Sequence, residues 1–436
     1  MTAEIGILNR EAVALAADSA VTSGAKIFPS ANKIFMLSKF HPVGIMVYGN
    51  ASFLETPWET VVKVFRKQLG DTAYPHLSDY LGHFLDFLRQ ESALSPPEAQ
   101  LQHTLGSIAD EFGFIRSRVD GFAEAMIGAR GKVSDAVLKA FLERTVEVRF
   151  NAWKGAPLPP DLPNTVQRRI RKEYLSAVKN LKEHFFSGLM TSSSSVRLNE
   201  IAVHVATKMS PQRTGQAGVV IAGFGEKEIY PSLHEMAIQG MVEGHLKCEA
   251  KRTMSITSSG TTAAVLPFAQ DEMVHLFMEG IDPEYRKVID SFLHEVITSY
   301  PTAVADVLEE SLGEKRTRTI VARLEREAKR LVTKYEQELA QNRRENYVNP
   351  IISVMAMLPK GELASAAETL VNLTSFKRRV SRQAETVGGP VDVAVISKGD
   401  GFVWIRRKHY FDPKFNHHFF SNYFPQQRSR DDEGEE

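Results

Sequence analysis

A single cysteine, Cys248, rules out an intrachain disulfide framework and any cysteine-based zinc site. An excess of either charge is lacking as well. Lys plus Arg and Asp plus Glu each number 53, so no net field draws nucleic acid or an anionic membrane. There is no apolar run long enough to span a bilayer. Nor does the N-terminus have the basic segment and apolar stretch of a secretory signal. These absences point to a protein of the reducing cytoplasm, without a nucleic-acid or membrane partner. Nucleotide and metal signatures are also missing. There is no P-loop, Gly223-Phe224-Gly225 lacks the third glycine of a dinucleotide-binding loop, and His234-Glu235 lacks the second helical histidine of a zinc peptidase, with Ile238 standing in its place. The adjacent His417 and His418 are better read as packing residues than as ligands, so no metal and no other cofactor is expected.

What is present is enough apolar material for a sizeable core. Hydrophobic residues make up 43% and charged residues 24%, as in ordinary globular chains. A length of 436 residues corresponds to two or three domains, or to one domain carrying a large insertion. Apolar residues alternate or cluster at 3–8 and 13–17 around the turn Asn9-Arg10-Glu11, which predicts a hairpin of buried strands. Further strands are predicted at 33–37 and 43–47, followed by the turn Tyr48-Gly49-Asn50-Ala51. Pro57 then opens a helix.

Apolar spacing of three and four residues predicts helices at 78–88, 97–112, 133–150 and 165–189, with 192–195 as an exit loop. Strands are predicted to resume at 201–206, 218–223, 228–233 and 253–257, and a helix after Pro267. Residues 282–345 read as helical. Their second half is a solvated amphipathic stretch rich in mixed charge, not a nucleic-acid arm, and the basic run 168–172 is likewise a solvated face. A last helix at 360–379 precedes strands at 391–397 and 401–406 joined by Asp400-Gly401, a strong hairpin signal. The aromatic-rich stretch 409–424 has the composition of a docking segment, and the charged tail 426–436 that of a disordered one. The order predicts an α+β chain with two sheets covered by helices.

Thr2 becomes chemically interesting if loss of Met1 frees its amine. An N-terminal hydroxyl can then attack a carbonyl while the chain's own α-amine takes the proton. Lys33 near that hydroxyl would favour the alkoxide and lower the proton affinity of the amine. Asp18 would hold Lys33 in place, and the N–H of Gly49 would face the developing oxyanion. Read without that chemistry, Lys33 is an exposed strand-end lysine, Asp18 a turn residue bonding its own backbone, and Ser19 and Thr22 turn hydroxyls.

The order and spacing of these residues resemble proteasome β subunits and their bacterial relatives, the HslV-type peptidase and the Anbu proteins. The matching features are Thr2, the strand ending Ala16-Ala17-Asp18-Ser19, Lys33 in Asn32-Lys33-Ile34, the turn Tyr48-Gly49-Asn50-Ala51, and Val387-Gly388-Gly389-Pro390-Val391-Asp392 followed by Asp400-Gly401. The resemblance covers 2–70 and, more loosely, 200–410. It implies a four-layer αββα N-terminal-nucleophile (Ntn) hydrolase sandwich, with Thr2, Asp18, Lys33 and Gly49 catalytic and Ser19 and Thr22 beside a peptide or amide substrate. It also implies a homo-oligomer. The expected division is 2–70 as the N-terminal part of the core, 71–195 a helical insertion, 196–280 core strands and a helix, 281–345 a helical extension, 346–410 the C-terminal core, and 411–436 an aromatic and then acidic tail. The helical insertion and the aromatic segment are the expected contacts for any protein partner.

One group of residues departs from the pattern. The family adds an Asp and two Ser that orient the amine and relay protons. Here Ala384, Phe268 and Val387 stand at those places, with Glu385 and Thr386 as the nearest substitutes. Loss of orienting groups lowers rates by orders of magnitude while geometry survives. The principal expectation is a threonine peptidase or amidohydrolase working through an acyl-enzyme. The alternatives are a catalytically silent scaffold and a small-amide acylase.

Overall fold

A computed structural model gives the fold for residues 2–23, 26–211, 215–381 and 387–418. The chain begins with β1 (Ala3–Asn9) and β2 (Ala12–Ala17). Their turn is closed by Asn9, whose side-chain oxygen accepts from the N–H groups of Glu11 at 2.9 Å and Ala12 at 3.1 Å. A short ribbon of β3 (Val21–Ser23) and β4 (Lys26–Phe28) follows, then β5 (Ile34–Met36), β6 (Val43–Gly49), β7 (Ser52–Phe53) and β8 (Thr56–Pro57). Seven helices come next: α1 (Trp58–Leu69), α2 (Leu77–Gln90), α3 (Pro97–Arg130), α4 (Asp135–Lys154), α5 (Asn164–Glu173), α6 (Leu175–Phe186) and α7 (Ser192–Thr207). Strands β9 (Ala217–Gly223), β10 (Ser232–Val242), β11 (His245–Ser255) and β12 (Ala263–Ala269) lead to α8 (Glu272–Glu279), α9 (Pro283–Leu312), α10 (Glu314–Arg343), α11 (Asn349–Met355) and α12 (Lys360–Val380). The hairpin β13 (Asp392–Ser397) and β14 (Gly401–Arg406) follows.

The strands form two antiparallel five-stranded sheets, ordered β12-β1-β2-β13-β14 and β11-β10-β9-β6-β5. Period-two alternation sorts their side chains. Leu8, Val13, Leu15 and Ala17 of the first sheet meet Met46, Val220, Ala222 and Leu233 of the second. On the outer side of the first sheet, Ile5, Ile7, Ala12, Ala14 and Ala16 pack against Leu363, Ala367, Leu370 and Val371 of α12 and Val274 of α8. The alanines of β2 let that helix lie close to the sheet. On the outer side of the second sheet, Ile45, Val47, Val219 and Ile221 are covered by Trp58, Val62 and Phe65 of α1 and Tyr80 and Phe84 of α2. Helices α3–α7 hold a separate apolar core around Phe112, Val146, Phe186 and Ile201. The chain is therefore α+β with antiparallel sheets. Among the described residues no helix is long and apolar enough to cross a membrane.

Several expected elements are corrected. Residues 192–195 are not a loop, nor 201–206 a strand: both belong to α7. Thr191 and Ser194 cap that helix reciprocally, and the β-branched residues of its last turns pack on the neighbouring helices. Of the strand expected at 228–233 only the last two residues are extended, as the start of the longer β10, and that at 253–257 is cut to the end of β11 at Ser255. Glu243 and Gly244, both with positive φ (50° and 78°), turn this hairpin. The helix expected after Pro267 is α8, but the strand before it, β12, has no counterpart among the expected elements. At the edge of a sheet a missing N–H is tolerated, and Pro267 sits inside that edge strand. The helix expected at 165–189 is broken at Tyr174. In the aromatic stretch, Tyr410 and Phe415 are largely exposed. The remainder from 419, with the acidic tail, lies outside the described residues.

Candidate active site

The first strand is fastened at its start by backbone and side chain together. The carbonyl of Thr2 accepts from the N–H of Gln270 at 3.2 Å, and the carbonyl of Ala3 from the N–H of Asp18 at 3.1 Å. The N–H of Ala3 donates to Asp18 Oδ1 at 3.0 Å. Asp18 also receives the N–H groups of Ala20 (3.2 Å) and Gly388 (2.9 Å) on Oδ2, and Lys33 Nζ at 2.5 Å on Oδ1. Asp18 is thus the knot that ties β1, the end of β2, the Gly388 turn and Lys33 into one point. A carboxylate accepting this many hydrogen bonds is a positioning group. Lys33 is brought there because it stands one residue before β5, its carbonyl accepting from the N–H of Val47 in β6 at 2.9 Å.

A second carboxylate lies on the other side of Lys33. Glu4 Oε1 is 3.4 Å from Lys33 Nζ, and Glu4 Oε2 accepts the hydroxyl hydrogen of Thr2 at 2.9 Å. Among the described residues the Thr2 hydroxyl bonds to Glu4 and not to Lys33. Glu4 is fully buried at the inward register between Ala17 and Phe268. Burial pushes its carboxyl up from an ordinary 4.5 to about 7, against the opposing pull of Lys33. Sequence reading missed Glu4. The signal was available: an acid at an inward position of a strand whose other residues, up to the turn at Asn9, are apolar or small.

Thr2 and Lys33 open on a cavity of about 270 Å³ whose walls include Val21, Val47, Tyr48, Gly49 and Trp58. Gly49 ends β6 with φ +82°, and a Cβ there would lie 2.5 Å from the carbonyl oxygen of Gln216. Only glycine keeps the turn in this shape. Tyr48 donates its hydroxyl hydrogen to Glu235, which also pairs with Arg252 at 2.9 Å. That arrangement, with burial the largest influence, raises the Tyr48 phenol far above its usual range. His234-Glu235 therefore lies on a strand, with Glu235 engaged in an ion pair.

The other sequence-selected residues are distributed as follows. Ser19 is buried, donating its N–H to Gly388 at 3.1 Å and its hydroxyl hydrogen to the carbonyl of Pro390, and it is not part of the cavity wall. Thr22 lies at the centre of β3, in register with Ile27. Phe268 packs between the sheets, its ring 4.9 Å from the Arg252 guanidinium and 5.8 Å from Tyr48, and Val387 is buried against the α12 side. Glu385 and Thr386, with Ala384, lie outside the described residues. Among the described residues, no group of three or more His, Cys, Asp or Glu side chains is placed to hold a metal ion.

No family model matches the chain, and no curated protein matches it. A solved structure does. The chain is similar to an Anbu (Gly-1) mutant from Hyphomicrobium sp. strain MC1, with 11% identity over 100% of both chains and a TM-score of 0.29. That score is too low for the likeness to speak for fold or activity. The functional reading rests on the side chains around Thr2.

Proposed function

We propose that the chain is a proteasome-like Ntn hydrolase that cleaves a peptide or other amide bond through an acyl-enzyme on Thr2, exposed by removal of Met1. The observation that carries this reading is the Asp18–Lys33 pair, buried and bonded to the first strand beside Thr2, at the mouth of a cavity. On this reading the two facing sheets with their helical covers are the αββα sandwich, and α2–α6 belong to the helical insertion. Thr2 Oγ attacks the substrate carbonyl while its hydrogen passes to a base. The amide C–N bond then breaks, the leaving amine takes up the proton, and water hydrolyses the ester. The Lys33 side chain offsets the charge on the oxygen as it becomes anionic. The N–H of Gly49 serves the carbonyl oxygen, and an extended substrate pairs with the backbone around Thr22, with one side chain or acyl group entering the cavity. The reading also expects a homo-oligomer, checked by the mass of the assembly in solution.

The experiment is intact mass followed by activity. The native chain should lack Met1, and a β-lactone probe should add covalently to Thr2. Thr2→Ala should abolish the adduct and lower amide hydrolysis by on the order of a thousandfold or more. Retention of Met1, or full activity in Thr2→Ala, overturns the reading. A silent scaffold is the second reading, favoured by the apolar Phe268 and Val387 where the resemblance implies serines. A Met1-free chain that no such probe labels decides for it.

A further inference from the structure

We propose that Glu4 is the base that takes the hydroxyl proton of Thr2, in place of the chain's own α-amine. The inference rests on the reading of Thr2 as nucleophile. Its ground is geometric: the Thr2 hydroxyl already donates to Glu4 Oε2 at 2.9 Å, within the reach a general base requires.

The two carboxylates flanking Lys33 are differently occupied. Asp18 accepts from three backbone N–H groups and from Lys33 at 2.5 Å. Among the described residues Glu4 meets only the Thr2 hydroxyl and the Lys33 ammonium, the latter 3.4 Å from an Oε1 that has no closer donor. Asp18 therefore positions, and Glu4 has capacity for a proton. An inward site between Ala17 and Phe268 in register would otherwise hold an apolar side chain. Burial also raises the Glu4 carboxyl to about 7, near the pH at which a base must exchange its proton.

The balance is simple. As the Oγ–C bond forms, the Oγ–H proton moves to Glu4 Oε2. As the C–N bond breaks, that proton goes to the leaving nitrogen and the carboxylate is restored. In the second half Glu4 takes a proton from the attacking water and returns it to Oγ.

The test is the rate of Thr2 acylation by a β-lactone, followed by intact mass from pH 5 to 9. In the wild-type chain the rate should rise about tenfold per pH unit and level off above about 7. Glu4→Gln should be slower by about a hundredfold or more and lose that limb. Glu4→Asp should be intermediate with a displaced limb, and it carries the test should Glu4→Gln fail to fold. Wild-type rate and limb in either variant overturn the proposal, since the limb then belongs to the α-amine and Glu4 is only a counter-ion. A wild-type chain that is never acylated on Thr2 instead overturns the nucleophile itself, a separate result.

Discussion

Lys33 sits between Glu4 and Asp18 with its side chain about 5% exposed. A cation buried between two carboxylates is tolerable because each charge offsets the others' desolvation. This arrangement binds side chains from β1, the end of β2 and the residue before β5 at one point. Gly49 shows how narrow the tolerance is at the opposite wall. With φ +82° and a backbone oxygen 2.5 Å from where a Cβ would stand, Gly49→Ala forces the turn to shift. The backbone conformation alone costs roughly 1–2 kcal/mol. Urea unfolding should report a loss of at least that size, and hydrolysis should fall at least tenfold as the cavity wall moves. An alanine variant with wild-type stability and activity would mean that the turn is not held as described.

At the scale of elements, the site depends on how closely β6 and β9 bring their side chains. Gly218 of β9 lies opposite Tyr48, and a Cβ on it would stand 2.0 Å from the phenol ring. The ring lies over the glycine and reaches Glu235 on β10. Gly218→Ala should therefore displace Tyr48, break its bond to Glu235 and reshape the cavity. The expected result is a raised KM with a smaller change in kcat, measured on a fluorogenic amide. Unaltered KM would show that the ring does not form part of the substrate's surroundings. The same elements show where local patterns suffice. Helix α12 places Leu363, Ala367, Leu370 and Val371 on one face, a period visible in the chain itself. Helix α7 carries β-branched residues that look extended in isolation, and only its cap and its packing on α3 and α4 make it helical.

For the molecule as a whole, two buried groups link stability to pH in opposite directions. Glu4 is raised to about 7, so its favourable contribution is complete below about 4.5 and is lost as pH rises through 7. Lys247 is lowered by burial from 10.5 to about 7, so its contribution is complete above about 10.5 and is lost as pH falls through 7. Stability from these two groups is therefore lowest near neutrality. Each slope approaches about 1.4 kcal/mol per pH unit within its own window. Urea unfolding from pH 5 to 10 should show Glu4→Gln flattening the acidic limb and Lys247→Met the alkaline one. Curves parallel to wild type would remove both assignments.

Local order in the chain was enough to specify the β1–β2 and β13–β14 hairpins, helix α12, and the spacing of Asp18, Lys33 and Gly49 from Thr2. Alternation, a helical period and an Asp-Gly turn act over a few residues and are written into adjacent positions. The β10–β11 hairpin in full, the edge strand β12 and the helical state of α7 were decided by pairing and burial against distant residues. Glu4 belongs to this second class. As an acid two residues from Thr2 it is unremarkable in the chain. Only the inward register of β1, the approach of Lys33 and the exclusion of water between the sheets turn its carboxylate toward the hydroxyl and raise its affinity for a proton.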